Sequence, residues 1–361
     1  MNTFSTIRAF TVAAALLATI GTAGAKLSVG DPAPKLQTGK WVQGDPVTAF
    51  DTNHVYIVEF WATWCGPCRE SIPHLNELYE KFKDRGLIAI GQDCWEQSED
   101  GVAPFVKKMG DKMTYRVALD DKSTNDKGAM ATTWMTAAGQ NGIPTAFIVN
   151  RHGIIAWIGH PMGLTEDTLG QILADTFDTT AFAKEYERQQ TEQAQFMEQS
   201  KKLQTAMKAR DWDAAETVLA AMEKSSPEDA NIQFASTRLQ ILLGRKDYDG
   251  AYKLAKSMSA AHPENSLLQN ELAWTLVTTR DLDQHGLALA KSIAERASAA
   301  AKEIDPGILD TLARAQFMNG LTNEAVATEQ KAVDLAPDSL KNELKKCLAD
   351  YQQGKLPDQE Q

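Results

Sequence analysis

Two cysteines separated by Gly-Pro, Cys65-Gly66-Pro67-Cys68, lie between a run with strand character and a run with helix character. His54 to Ala62 is β-branched and aromatic, the make-up of a pleated strand. Ser71 to Arg85 carries Ile72, Leu75, Leu78, Tyr79 and Phe82 at spacings of three and four, the apolar stripe of an amphipathic helix. Gly86 follows as its C-cap. The junction therefore sets a helix N-terminus on the end of a strand, and the flanking sequence extends that pattern. Leu87–Gln92 reads as a short buried strand, Val102–Met109 as a helix, Tyr115–Leu119 as a strand and Asp126–Ala138 as a helix. Thr145–Val149 and Ile154–Ile158 flank Asn150-Arg151-His152-Gly153, a hairpin signal. Thr165–Phe177 closes this half as a helix with Thr165 as N-cap. Residues 26–50, rich in Pro, Gly and polar side chains, read as an extended lead-in. The expected fold is an α/β domain, a mixed sheet flanked by helices, over residues 26–180.

From residue 181 to 350 the pattern turns wholly helical. Ala215, Ala251, Ala288 and Ala325 are 36, 37 and 37 residues apart, and Pro227, Pro263 and Pro337 each follow twelve residues on. The unit starting at Ala288 reaches Pro306 only after a longer helix. Asp211-Trp212-Asp213, Asp247-Tyr248-Asp249 and Gly320-Leu321-Thr322 mark equivalent turns. One helix pair cannot bury its own apolar face, so such units stack. The register resembles the tetratricopeptide repeat, although its first-helix signature is degenerate and best kept around Trp274 and Leu312–Ala315. A non-repetitive helical bundle is the alternative. The charged run Lys184–Lys202 is expected to join the halves as a helix, and residues 351–361 to form a flexible tail.

Residues 1–25 carry an export pattern: Arg8, an apolar run from Ala9 to Ile20, and Ala23-Gly24-Ala25 as a small-residue cleavage site. That run is shorter than the roughly 20 residues a spanning helix needs. A cleaved signal peptide is therefore expected, with an uncleaved N-terminal anchor as the alternative. The mature chain would lack a transmembrane segment and act in the periplasm or another extracytoplasmic space. A net charge of −11 gives no reason to expect nucleic acid as a partner. Four cysteines in 361 residues do not make a disulfide scaffold, so the core must hold the fold.

A thiol attacks a disulfide only as a thiolate. At a helix N-terminus, unpaired backbone N–H groups and the helix dipole both favour that anion at Cys65. Cys68, one turn on, is placed to resolve a mixed disulfide from within the chain. Cys65 is thus read as nucleophile and Cys68 as resolving thiol, while Pro67 fits the first helical turn. Glu59 alternates away from Val58 and Phe60 and is either a buried acid able to exchange a proton with the cysteines or a solvent-facing strand residue. Zinc is not expected at the pair, because neither a second Cys-x-x-Cys nor a spaced His pair completes four ligands, and His74 reads as a surface residue. Cys94 and Cys347 read as idle thiols, a bridge between them being the alternative. His160-Pro161, Trp134 and Met135 are set aside as core or flanking residues.

The segment Val58-Glu59-Phe60-Trp61-Ala62-Thr63-Trp64-Cys65-Gly66-Pro67-Cys68 resembles the active site of the thioredoxin superfamily. Pro73 is similar to the proline within that family's active-site helix, and Gly142-Ile143-Pro144-Thr145 to its cis-proline loop. The stretch between Leu87 and Tyr115 and the export pattern resemble the exported TlpA/ResA branch. The likeness covers roughly residues 28–178. It implies that Glu59 is the buried acid, that Trp64, Ile143 and Pro144 meet substrate, and that Gly66 and Pro67 tune the potential. It further implies a thiol–disulfide oxidoreductase acting on protein thiols and disulfides, needing no metal or cofactor beyond the Cys65–Cys68 disulfide. The helical repeats would dock a protein partner. A protein-interaction scaffold and a thiol peroxidase are the competing classes.

Overall fold

The computed structural model describes residues 26–226 and 231–358, so the signal-peptide segment and Pro227 lie outside the described residues. The chain divides into two compact units, Met1–Thr191 and Glu192–Gln361.

The first unit holds one six-stranded sheet: β1 (Thr38–Gln43), β2 (Val55–Trp61), β3 (Leu87–Asp93), β4 (Arg116–Asp120), β5 (Thr145–Val149) and β6 (Ile155–Gly159), in the order β1-β4-β3-β2-β5-β6. β2, β3 and β4 run parallel, whereas β5, β6 and β1 are antiparallel to their neighbours. Every residue of β2 is buried, because the sheet is covered on both faces. One face packs on α1 (Gly66–Phe82), α2 (Val102–Met109) and α3 (Glu166–Leu173), with Ile57, Ile72, Leu75, Val106 and Ile172 at its centre. The other buries Val58, Phe60, Trp134, Met135 and Phe147. Trp134 and Met135 are therefore core.

The expected lead-in contains an edge strand, β1. Its pairing with β4 slips at Thr38/Trp41 and again at Trp41/Gln43, so no clean alternation marks it in the sequence. The helix expected over 126–138 starts late and contains a π-helical turn, Ala131–Thr136. The Asp120 carboxylate caps it, accepting from the Met130 and Ala131 N–H groups at 2.8 and 2.9 Å. Gly128, at φ +89°, leaves room for that carboxylate: a Cβ there would lie 2.1 Å from Asp120 Oδ2. The helix expected to reach Phe177 ends at Leu173, after which Asp175 turns left-handed at φ +59°.

The second unit is all helical among its described residues. The helix α4 (Thr179–Ala209), which begins in the first unit and runs on into the second, covers the charged run and is followed by α5 (Trp212–Lys224), α6 (Asn231–Gly244), α7 (Tyr248–Ala261) and α8 (Ser266–Val277). Then come α9 (Gln284–Ala300), α10 (Pro306–Met318), α11 (Thr322–Leu335) and α12 (Asp338–Gln352). The turns repeat one chemistry. Arg210, Lys246 and Asp281 adopt positive φ, and the Asp211, Asp247 and Asp283 carboxylates then cap α5, α7 and α9. This corrects the alanine register. Ala215, Ala251 and Ala325 are buried, but Ala288 is exposed, and α9 turns Gly286 and Ala290 inward instead. Tyr252 packs so close to Gly286 that a Cβ there would meet its hydroxyl at 2.4 Å. The segment expected as a free tail begins inside α12, where Tyr351 is buried, and the Pro357 carbonyl accepts from Arg314 Nη1 at 3.0 Å. Among the described residues no helix is long and apolar enough to cross a membrane.

Candidate active site

The strand β2 ends at Trp61, and four residues later Cys65 is the N-cap of α1. Cys65 and Cys68 are joined as a disulfide, and the Cys68 N–H donates to Cys65 Sγ at 3.1 Å. That sulfur thus lies at the helix's donor end, where an anion is favoured. Cys65 keeps 3 % exposure and Cys68 none, so only the first cysteine has any contact with solvent. Pro67 is exposed in the first turn, and Pro73 sits within α1 without ending it. The Ile143–Pro144 peptide bond is cis, and the Ile143 carbonyl oxygen lies 3.7 Å from Cys65 Sγ. The loop before β5 therefore faces the pair across the site. Trp64 is 57 % exposed, and its indole N–H donates to the Trp95 carbonyl at 3.3 Å. Together with Thr63, Glu96 and Gln97, these two tryptophans line an open cavity of about 460 Å³.

Glu59 sits mid-strand in β2 on the α1 face, with no exposure. The Tyr115 hydroxyl donates to its Oε2 at 2.8 Å, while Oε1 has no partner. Burial pushes the carboxyl up to about 7, against the opposing pull of the Tyr115 hydrogen bond and of the nearby Ser71 hydroxyl. The Ser71 hydroxyl proton itself goes to the Cys68 carbonyl at 3.1 Å.

Tyr115 and Gly91 escaped the sequence reading. Gly91 is the β3 residue paired with Glu59, and a Cβ on it would lie 2.9 Å from the Tyr115 ring. The missing side chain is what lets the hydroxyl reach across the sheet. A glycine within an apolar strand run is the usual sign of such a close approach. Tyr115→Phe removes a donor to the ionised form. The Glu59 titration is expected to move upward by about one unit, read by carboxyl-region infrared difference spectra across pH. A titration unchanged from wild type would contradict the assigned hydrogen bond.

A second acid was also missed. Asp93 ends β3 opposite Trp61 and is buried. Desolvation first, then the nearby Glu96 carboxylate, pushes it up to about 8. Glu96 itself accepts from the Thr63 N–H. Cys94 follows Asp93 but turns into the core on the face away from the pair, and burial drives its thiol well above the ordinary range. Cys347 lies half-buried on α12, and both thiols are free. His74 is half-buried rather than on the surface, with Nε2 3.0 Å from the Leu164 carbonyl. His160 is exposed and its Nδ1 accepts from the Met162 N–H.

A mixed sheet with helices on both faces, a Cys-Gly-Pro-Cys pair at a helix N-terminus and a cis-proline loop against it define the thioredoxin-like class. Residues 29–158 match the AhpC/TSA family model. Thiol-disulfide oxidoreductase ResA of Bacillus cereus is 31% identical over 128 residues, which is 33% of this chain and 67% of that protein. Protein FixW of Rhizobium leguminosarum is 29% identical over 153 residues, 41% of this chain and 66% of its own. A thiol:disulfide interchange protein of Chlorobium tepidum is 26% identical with a TM-score of 0.32, covering 41% of this chain and 97% of that structure. The chain belongs to the thiol-disulfide oxidoreductases of the ResA type, and it spans about two thirds of the length of these curated relatives.

Proposed function

We propose that this protein is an exported thiol–disulfide oxidoreductase that exchanges the Cys65–Cys68 pair with protein thiols and disulfides, its helical repeats docking a partner. The observation that carries the reading is the pair itself. One cysteine is slightly exposed at a helix N-terminus, its partner is sealed, and a buried acid, pushed up to about 7, stands on the face of β2 that α1 covers. Export rests on the pattern of residues 1–25, and docking on the stacked helix pairs, whose arrays present extended surfaces.

In the oxidising direction, a substrate thiolate attacks Cys65 Sγ. The Cys65–Cys68 bond breaks, and Cys68 leaves with the electron pair and takes a proton. Glu59, about half protonated at neutral pH, supplies it. The second substrate thiolate then attacks the substrate's first sulfur in the mixed disulfide, forming the substrate disulfide and releasing Cys65 as a thiolate. Two electrons pass from the substrate dithiol to the pair; the substrate's thiol protons go to solvent, from which Glu59 and Cys65 take theirs. Run in reverse, the reduced pair opens a substrate disulfide, and Glu59 receives the proton of Cys68. Trp64, exposed beside Cys65, and Ile143 and buried Pro144 of the loop facing it are assigned to substrate contact. Gly66 and Pro67 are assigned to setting the potential. With Gly-Pro between the cysteines, a potential toward the thioredoxin value of about −270 mV is expected; one near the −120 mV of a strong oxidant would contradict a reducing or exchanging role.

Insulin-disulfide reduction by wild type and Cys65→Ser tests the reading. The variant is expected to fall to the uncatalysed background, and equal rates would end the enzymatic reading in favour of a scaffold. Cys65-dependent consumption of peroxide, without insulin reduction, would shift the assignment to a peroxidase.

A further inference from the structure

The second unit holds a group of side chains that the exchange chemistry does not use. Asp310 on α10, Glu329 on α11 and Cys347 on α12 turn toward one another, and their carboxylate oxygens and sulfur all lie within 4.8 Å. It is the one such grouping of potential metal-ligating side chains among the described residues. Glu329 is the informative member. It has no exposure, and no N–H or hydroxyl donor reaches either of its carboxylate oxygens, so only a proton shared with Asp310 can pair it. A buried carboxyl group without donors loses its hydration and gains nothing in exchange. One cation, Arg314, favours the ionised form of Asp310, and the other charged neighbours are acidic. Asp310, Glu343 and Asp350 surround Cys347 with further negative charge. The nearby cation, Arg314, spends Nη1 on the Pro357 carbonyl and Nε on the Val277 carbonyl.

We propose that Asp310, Glu329 and Cys347 form a binding site for one divalent transition-metal ion of the zinc class, which clasps α10, α11 and α12 together. One thiolate and two carboxylates are a donor set that zinc accepts in tetrahedral coordination, with water in the fourth position. Magnesium and calcium, which take all-oxygen ligands, do not suit the sulfur. Donor atoms around zinc stand roughly 3.5 Å apart, so small side-chain rotations close the site. Entry of the ion displaces the Cys347 thiol proton and any proton held between the carboxyls, and forms the metal–sulfur and metal–oxygen bonds without any change of oxidation state.

The test uses the full chain carrying Cys65→Ser and Cys68→Ser, so that the exchange pair cannot bind metal. Equilibrium dialysis against micromolar zinc is expected to leave one ion per chain. Cadmium titration is expected to give a saturable thiolate-to-metal charge-transfer band that zinc competes away. Glu329→Gln, close in shape and free to fold, is expected to weaken binding at least about tenfold, a lower bound set by losses measured for residues merely supporting a metal's ligands. The same change is expected to abolish the zinc-dependent rise in the helical melting temperature. Cys347→Ala is expected to remove the charge-transfer band. Absence of bound zinc, a band that survives Cys347→Ala, or undiminished affinity in Glu329→Gln would each overturn the proposal and leave a buried carboxyl pair only.

Discussion

Glu59→Gln is expected to make the oxidised protein more stable at pH 8 and to change it little at pH 4. The folded carboxyl titrates near 7, against an ordinary value of 4.5. Between those values the native state holds a proton that the unfolded chain has released. Stability therefore falls as pH rises through that window, and above it the full cost of a buried charge is in place. At 1.36 kcal/mol per unit, that cost is about 3 kcal/mol, a large part of the 5–15 kcal/mol that holds a typical domain together. Glutamine carries no charge at any pH and keeps an oxygen for the Tyr115 hydroxyl. Its amide nitrogen must take the place of Oε1, which has no partner, and this offsets about 1 kcal/mol of the gain. Urea unfolding of the full chain, followed by hydrogen exchange at the β2 amides, reads the difference at both pH values. Equal stability of variant and wild type at pH 8 would show that Glu59 is not ionised at a cost inside the fold.

Cys68→Ser is expected to convert a transient mixed disulfide into an accumulated one. The Cα atoms of Cys65 and Cys68 are 5.3 Å apart, so the resolving sulfur acts within the same helix turn at a high effective concentration. Without it, only an external thiol at millimolar concentration can release the substrate, and the adduct lifetime should lengthen by about a thousandfold or more. Cys94 cannot take over, because it is buried on the opposite face of the sheet with its thiol held protonated. Non-reducing electrophoresis of the reduced variant with a peptide disulfide reads the adduct, and peptide mapping is expected to place it on Cys65. An adduct that resolves at the wild-type rate would remove Cys68 from its assigned role.

The parts of the fold that local pattern controls were legible in the sequence. The strand into Trp61, the helix from Cys65, the Asn150–Gly153 hairpin and the alternation of strand and helix all follow from spacing and turn residues. Glu59 was legible as one of two readings, since alternation gives its face but not the burial of that face. What stayed hidden depends on contacts distant in sequence. The strand β1 is an edge strand whose register slips, so it lacks the period that marks a strand. Tyr115 and Gly91 matter only because the sheet order brings β2, β3 and the start of β4 side by side. Ala288 misled because small residues recur often in helices, whereas the capping Asp211, Asp247 and Asp283 carry the true period of 36. Asp310, Glu329 and Cys347 have no motif spacing, because each comes from a different helix.

Glu59 is proposed to exchange a proton with the cysteine pair. Single-turnover rates of exchange with a dithiol peptide, measured from pH 5 to pH 9 for wild type and Glu59→Gln, test it most directly. Wild type should show an inflection near pH 7 that the variant lacks, with the variant slower by about 100-fold or more where a proton must be supplied. Superimposable pH profiles would contradict it.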